Sequence, residues 1–320
     1  MPNPRNPKIK VIDVAEDQMI FDLYDTDLSM ANALRRIMIA EVPTLMIETI
    51  EFEENSTALQ DEIIAHRIGL IPLKSRKRMS EWNFNHACVC DSYCERCSVN
   101  LYCDVTYEQL AEESYGGDQQ EYAETGFPII ISSKQLKSEL PDEVDVVHFD
   151  NEDYQRSAQD DGIAIIQIGP GQKLKFRCKA IKGVGKEHAK WSPVATVALK
   201  LEPTVKLDED ILSDFNEDDL RQIEESCPVS VFKYDDNIQS LLLDNPSNCM
   251  FCKECIHVSQ DLRKKPEDPL AVEIIHSEDK FRFTVETIGS LTPKEVVEDA
   301  LEVLELKIKK IKSAVQNNIL

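Results

Sequence analysis

Apolar and polar positions along the first quarter of the chain predict strand, strand, helix, strand, helix. Residues 8–24 alternate weakly and read as two strands, Lys8 to Val14 and Met19 to Tyr24. Asp25-Thr26-Asp27 is turn and N-cap chemistry. A helix follows from Leu28 to Ala40, with Met30, Leu34, Ile37 and Met38 along one face, and Pro43 ends it. Thr44 to Glu54 alternates as a strand around Met46, Thr49, Ile50 and Phe52. Gln60 to Ile68 reads as a short helix, with Gly69 at the C-cap and Pro72 barring continuation. Further strands are expected at Leu101 to Leu110, Ile163 to Ile168, Lys173 to Ala180, Val194 to Leu201 and Phe281 to Ile288, and an acidic helical stretch at 204–227. The strand from Lys173 puts Leu174, Phe176, Cys178 and Ala180 on one face and Lys173, Lys175, Arg177 and Lys179 on the other, so it should be half-buried with a basic outer side. Gly169-Pro170-Gly171 is the turn before it. Residues 74–80 read as a basic loop, and 111–125 and 150–162 as polar loops.

Pro293 stands in the first turn of a long final helix. Val297, Leu301, Leu304, Ile308, Ile311 and Val315 follow at spacings of 4, 3, 4, 3 and 4, a heptad seam. Such a seam is covered either by the chain itself or by a partner helix, and the pattern alone leaves both open.

Length changes this picture little. At about 100–200 residues per domain, 320 residues suggest two domains with a small insert. Charge matters more. With 36 basic against 59 acidic residues the net charge is −23, which opposes broad contact with a phosphate backbone and suits docking onto basic protein partners or plain solvation. From Lys173 to Lys190 the balance reverses, with seven Lys or Arg and one acid, Glu187. Met1 to Lys10 has no apolar signal core, and the best apolar run, Ile37 to Ile47, is broken by Glu41 and Pro43, so no membrane span is expected. A cytosolic or nuclear setting follows as an expectation. There, Asn55-Ser56-Thr57 means nothing as a glycosylation sequon, and ten cysteines point to metal rather than disulfides.

Eight of those cysteines form two sets. Cys88, Cys90, Cys94 and Cys97 offer four thiolates within ten residues, enough to close a tetrahedron around one zinc ion with Zn–S near about 2.3 Å. All four positions being protein ligands leaves none open for water, so the zinc should be structural. His86 and Cys103 flank the set as weaker candidates. The second set is Cys249, Cys252 and Cys255, with Cys227-Pro228 upstream. In two-cluster ferredoxins each C-x2-C-x2-C triplet takes its fourth thiolate from a remote Cys-Pro. Ser259 stands where the next ferredoxin cysteine would be, so at most one cluster has ligands. An iron–sulfur cluster (4Fe–4S), a second zinc and an empty remnant all stay open here.

No catalytic constellation accompanies these sites. None of the six histidines belongs to a nucleophile–base pair. Gly183-Val184-Gly185 lacks the third glycine of a dinucleotide loop, and Gly185-Lys186 is followed by Glu187 rather than Ser or Thr. Asp25 and Asp27 suit a turn and a cap better than a metal.

Three segments carry a resemblance: Thr26-Asp27-Leu28-Ser29-Met30-Ala31-Asn32-Ala33-Leu34-Arg35-Arg36 running on to Glu41-Val42-Pro43-Thr44, then Asp61 to Leu73, then Lys182 to Pro193. Phe283 to Ser290 also fits. Together they resemble the alpha-like subunits of cellular RNA polymerases: bacterial alpha, its archaeal counterpart and their eukaryotic relatives. The four-cysteine loop and Lys186 to Trp191 resemble the RNA polymerase II branch, since the relative shared by polymerases I and III generally lacks that loop. The ferredoxin-like cysteines resemble the archaeal branch.

The resemblance implies an α+β fold. A discontinuous dimerisation domain, 1–45 plus 195–320 with a cysteine insert about 204–270, would flank an inserted, mostly β domain at 46–194 with a zinc loop at 86–98. It implies a nuclear, non-catalytic core subunit of DNA-directed RNA polymerase II. Its partners would be a smaller alpha-like subunit, the second-largest and largest subunits and small zinc-binding subunits, with little direct contact to nucleic acid. Leu28, Met30, Ala31, Leu34, Arg35, Ile37 and Met38 would lie at the pairing interface with Leu301, Leu304, Ile308 and Ile311. Arg35 and Arg36 would orient partner backbone or carboxylates. Lys182, Lys186, His188, Lys190 and Trp191 would dock another subunit. An electron-transfer protein built on the second cysteine set would leave the three long segments unexplained. A zinc-finger nucleic-acid binder would lack its base-reading helix and basic footprint.

Overall fold

The computed structural model describes residues 6–75, 79, 81–115, 128–148, 162–263 and 269–318. Most of the basic loop at 74–80 and of the polar loops at 111–125 and 150–162 lies outside the described residues. The chain divides into two compact units, each assembled from separate stretches: Met1–Ile12, Ile20–Asn32 and Ala198–Phe283 in the first, Asp13–Met19, Ala33–Val197 and Thr284–Leu320 in the second.

Strands β1 (Lys8–Val14), β2 (Gln18–Tyr24), β14 (Val272–Thr287) and β11 (Val194–Leu207) form a four-stranded sheet in the order β1-β2-β14-β11. In the first unit Phe21 and Phe283 stack with centroids 4.9 Å apart. The Arg282 guanidinium donates to both oxygens of the buried Asp22 carboxylate at 2.8 and 3.0 Å. A second core gathers Leu212, Leu220, Ile223, Phe232, Leu241 and Val272. The stretch expected to be helical over 204–227 is divided. β11 continues to Leu207, Asp208 caps a one-turn helix α4 (Glu209–Leu212), and Asn216 with Asp219 forms a capping box for α5 (Glu217–Glu225). A hairpin, β12 (Phe232–Asp235) with β13 (Ser240–Leu243), and helix α6 (Glu254–Asp261) complete the insert.

The second unit centres on a sheet ordered β3-β10-β5-β7, built from Pro43–Asn55, Lys173–Val184, Ser98–Thr106 and Lys137–Ser138. Leu174, Phe176, Cys178 and Ala180 are buried in its core as the alternation predicts. The opposite face is not a free basic surface. Register sets it between acidic rows: Lys173 pairs with Glu54 at 2.9 Å, Lys175 with Glu53 and Asp104 at 3.2 Å, Arg177 with Glu53 at 2.8 Å and Lys179 with Glu51 at 3.3 Å. Four cations meet four carboxylates, so the face is neutral overall. The strand expected at Leu101 to Leu110 ends at Thr106. There Thr106 and Gln109 cap each other and turn the chain into helix α3 (Tyr107–Tyr115).

Helix α1 runs Leu28–Ala40 as expected, with Asp27 Oδ1 accepting from the Met30 N–H at 2.8 Å. Its buried stripe is Ala31, Leu34, Ile37 and Met38, with Ala31 rather than Met30 completing it. The final helix α7 (Pro293–Asn318) is capped by Thr292 and Glu295. Val296, Val297 and Ala300 are buried.

Candidate metal centre and pairing surface

The four-cysteine loop leads into the second unit's sheet. Asn83 donates its N–H to the Arg96 carbonyl at 2.9 Å, closing the loop's neck. The Cys97 N–H reaches the Cys94 carbonyl at 3.0 Å and Ser98 N–H the same carbonyl at 2.9 Å, a tight turn that leads straight into β5. The ligand atoms of Cys88, Cys90, Cys94 and Cys97 lie within 4.8 Å of one another. The Cys88–Cys94 sulfurs are 3.6 Å apart, and the Cys90–Cys97 and Cys94–Cys97 pairs 3.7 Å. Four Zn–S bonds of about 2.3 Å in a tetrahedron give edges near 3.8 Å, so the set has the size of one zinc ion.

Electrostatics points the same way. Hydrogen bonds from the Cys90 backbone and neighbouring thiols hold the Cys88 thiol down at about 7. The hydrogen bond to Cys88 pushes Cys90 up to about 12, and burial raises Cys97. Cys88 therefore gives up its proton readily while Cys90 and Cys97 resist, and a cation among the sulfurs would favour the thiolate at each. Of the flanking candidates, Cys103 is buried in β5, where burial pushes its thiol up to about 12. His86 stacks with Phe84 at 5.4 Å.

The second set is arranged differently. Cys249 and Cys255 are buried, Cys227 is half-buried and Cys252 is exposed. Burial, followed by the charges of Cys227, Cys249 and Cys252, pushes the Cys255 thiol up to about 11, so the four share one locality. Cys227 Sγ accepts from the Val231 N–H at 3.3 Å. Phe251 and Lys253, on either side of Cys252, both take left-handed backbone, at φ 59° and 66°. Such conformations cost of order 1–3 kcal/mol in bulky residues and gather at ligand clamps. Among the described residues only the Cys88 set draws three or more ligand atoms within 4.8 Å of one another.

The residues expected at interfaces divide between surface and interior. On α1, Leu28 and Met30 are exposed and Arg35 is half-buried, while Ala31, Leu34, Ile37 and Met38 are covered by the chain. On the final helix, Leu301, Ile308, Ile311 and Val315 are 42%, 54%, 64% and 52% exposed, and Leu304 is half-buried. From Leu301 onward the seam is thus only partly covered by the described residues.

Lys182, Lys190 and Trp191, expected to dock another subunit, are turned to internal work. Lys182 Nζ donates to the carbonyls of Met79 at 2.5 Å and Trp82 at 3.0 Å and lies 5.0 Å from the Phe84 ring. Lys190 Nζ bonds the Ile47 carbonyl and Glu48 and sits over the Trp191 ring. The buried indole lies flat against Gly183, where any Cβ would approach its ring to 2.4 Å. A Cβ on Gly185 would meet the Ile39 carbonyl at 2.5 Å. Close packing accounts for both glycines. Lys186 and His188 remain exposed. Sequence patterning gives no sign of the Lys182 and Lys190 braces, since their acceptors are backbone carbonyls and a carboxylate more than 140 residues away in the chain.

Comparison with known proteins decides the family. The model of the RNA polymerase Rpb3/Rpb11 dimerisation domain matches residues 20–308. The chain belongs to the Rpb3-like alpha subunits of RNA polymerase. It is 33% identical over 318 residues to the DNA-directed RNA polymerase II subunit rpb3 of Dictyostelium discoideum, covering 99% of this chain and 97% of that one. It is 36% identical over 307 residues to the DNA-directed RNA polymerases II, IV and V subunit 3 of Arabidopsis thaliana, covering 95% and 90%. The DNA-directed RNA polymerases I and III subunit rpac1 of Dictyostelium discoideum is 32% identical over 298 residues, covering 93% of this chain and 79% of that one. Identity separates these Rpb3-like relatives little; coverage separates them more. The mixed α and β structure and the dimerisation domain agree with the expected fold class. Among the described residues no helix is long and apolar enough to cross a membrane.

Proposed function

We propose that this Rpb3-like chain is a non-catalytic scaffold of DNA-directed RNA polymerase II. It pairs with a smaller alpha-like subunit, and the pair nucleates docking of the second-largest and largest subunits for mRNA synthesis in the nucleus. The observation that carries this reading is the only partly covered seam from Leu301 to Val315 in a chain matched by a dimerisation domain. An aliphatic row half-exposed over four turns is costly to leave in water, at roughly 25 cal/mol per Å², and a second helix covers it.

In this reading 1–45 with 195–320 make the dimerisation domain, and 46–194 is the insertion. Leu28, Met30 and Arg35 extend the pairing surface, while Ala31, Leu34, Ile37 and Met38 stiffen the helix from behind. Lys186 and His188 meet a large or small zinc-binding subunit, with Lys182, Lys190 and Trp191 holding their loop in shape. Cys88, Cys90, Cys94 and Cys97 hold one zinc ion, which ties the loop ends together and takes no part in chemistry. Cys227, Cys249, Cys252 and Cys255 hold an iron–sulfur cluster. The ferredoxin-like spacing, with the left-handed Phe251 and Lys253 on either side of Cys252, supports that assignment over a second zinc.

Co-expression of the full chain with the smaller alpha-like subunit of the same organism tests the reading. A one-to-one complex is expected, and Ile308→Asp with Ile311→Asp should abolish it. A stable, monomeric chain that pairs with nothing and polymerises nucleotides alone would sink the proposal.

A further inference from the structure

The final helix changes sign along its length. Up to Glu305 it carries Glu295, Glu298, Asp299, Glu302 and Glu305 against Lys294; from Lys307 to Asn318 it carries Lys307, Lys309, Lys310 and Lys312 and no acid. In heptad terms Leu301, Ile308 and Val315 form one row of the seam and Leu304 and Ile311 the other. Glu305 and Lys307 flank one repeat, and Lys312 flanks the next. Two of the four lysines are held within the chain: Lys307 reaches both Glu41 oxygens at 2.8 Å, and Lys309 reaches Glu305 at 2.6 Å. Lys310 and Lys312 have no ion-pair partner among the described residues.

This differs from the other basic stretch. Lys173, Lys175, Arg177 and Lys179 are neutralised by their own sheet. The end of the final helix keeps its positive charge in a chain whose net charge is −23. Lys307 and Lys312 border Ile308, Ile311 and Val315, all more than half exposed, with Lys309 and Lys310 on the same turns. A phosphate backbone would meet the charge and leave the aliphatic row wet. A helix with its own apolar seam dries the row and brings carboxylates alongside.

We infer that the Lys307–Lys312 end of the seam selects a partner helix with Glu or Asp flanking its own seam, and that this charge match sets which alpha-like partner is accepted. The inference rests on the pairing reading above and adds the partner's chemistry to it. Flanking charges choose among coiled-coil partners in this way, by attracting the right one and repelling helices with lysine at the same positions.

The test uses the full chain with the smaller alpha-like subunit, its affinity measured at about 50 and about 500 mM salt, where screening differs strongly. Lys310→Glu with Lys312→Glu should weaken pairing by about tenfold or more at low salt, with most of the loss gone at high salt. Ile308→Asp with Ile311→Asp should abolish pairing at both. Charge reversal without effect at low salt, beside a seam variant that fails to pair, overturns the inference and leaves the pairing reading standing. A seam variant that pairs like the parent overturns the pairing reading itself. Displacement of the partner by duplex DNA at low salt would assign the lysines to nucleic acid and overturn the inference as well.

Discussion

The two cysteine sets contain the same four thiols and differ in how the backbone gathers them. Cys88, Cys90, Cys94 and Cys97 come from one loop with a hydrogen-bonded neck, and their sulfurs stand 3.6–3.7 Å apart in the pairs that touch. Cys227 follows α5, Cys249 follows a short turn, Cys252 lies between two left-handed residues and Cys255 is in α6. The first set is sized for an ion by local chain geometry. The second is assembled from separate elements. Cysteine spacing makes both candidates for metal; how closely the sulfurs gather is decided by the fold.

The largest expected effect falls on the closed set. Cys94→Ser should remove one equivalent of zinc and destabilise the second unit by more than about 4 kcal/mol, because structural zinc energy is folding energy. Metal analysis and thermal melting check it; a variant that keeps its zinc would break the comparison at its first term. Next comes Cys255→Ser. Anaerobically purified protein should contain iron that this variant loses, with zinc at the first set unchanged. Equal zinc and no iron in the parent protein would make the second set a second ion site and erase the contrast.

How much of this is legible in the sequence varies residue by residue. Asp27 and Pro43 mark the bounds of α1, because capping and ring chemistry act locally. The alternation from Lys173 to Ala180 names its buried face correctly. The capping pair of Thr106 and Gln109 is hidden in an apolar pattern that runs on, so the expected strand extends into what is a helix. Only the second half of β14 shows in the pattern, since Glu273 to Lys280 does not alternate and is ordered by its neighbours. The basic face of β10 looks free in the sequence because only strand register brings Glu51, Glu53, Glu54 and Asp104 beside it. For the candidate metal site four spaced cysteines suffice. For its support they do not.

That support gives an intermediate effect. Lys182 is half-buried, and burial lowers its pKa, with Asp299 opposing. Its ammonium satisfies two carbonyls at the entrance to the four-cysteine loop. Lys182→Met should cost about 2–3 kcal/mol, mainly through the two carbonyls left without a donor. Zinc should also transfer faster to a chelator, while the second cysteine set is unaffected. Unchanged zinc release would show that the loop's closure is independent of the sheet beneath it.

The smallest effect separates the frames that hold the two sets. In the first unit, burial alone would raise the Asp22 carboxyl. The Arg282 guanidinium on both its oxygens, with Tyr24 and Lys280 close by, more than offsets that and holds it below its ordinary 3.8. A carboxyl depressed in the folded state stabilises above its unfolded value and loses that contribution as pH falls through the lowered one. Asp22→Asn should therefore cost about 1 kcal/mol at neutral pH, a value kept small because Arg282 is partly exposed. The gap to the parent protein should narrow as pH drops below 3.8. Urea midpoints across that range read the gap directly, and hydrogen exchange on β2 and β14 places it in the first unit. On the second unit's outer face the carboxylates are exposed, and such pairs contribute little. An acid-dependent gap in both units would mean that their frames differ less than their metal sites do.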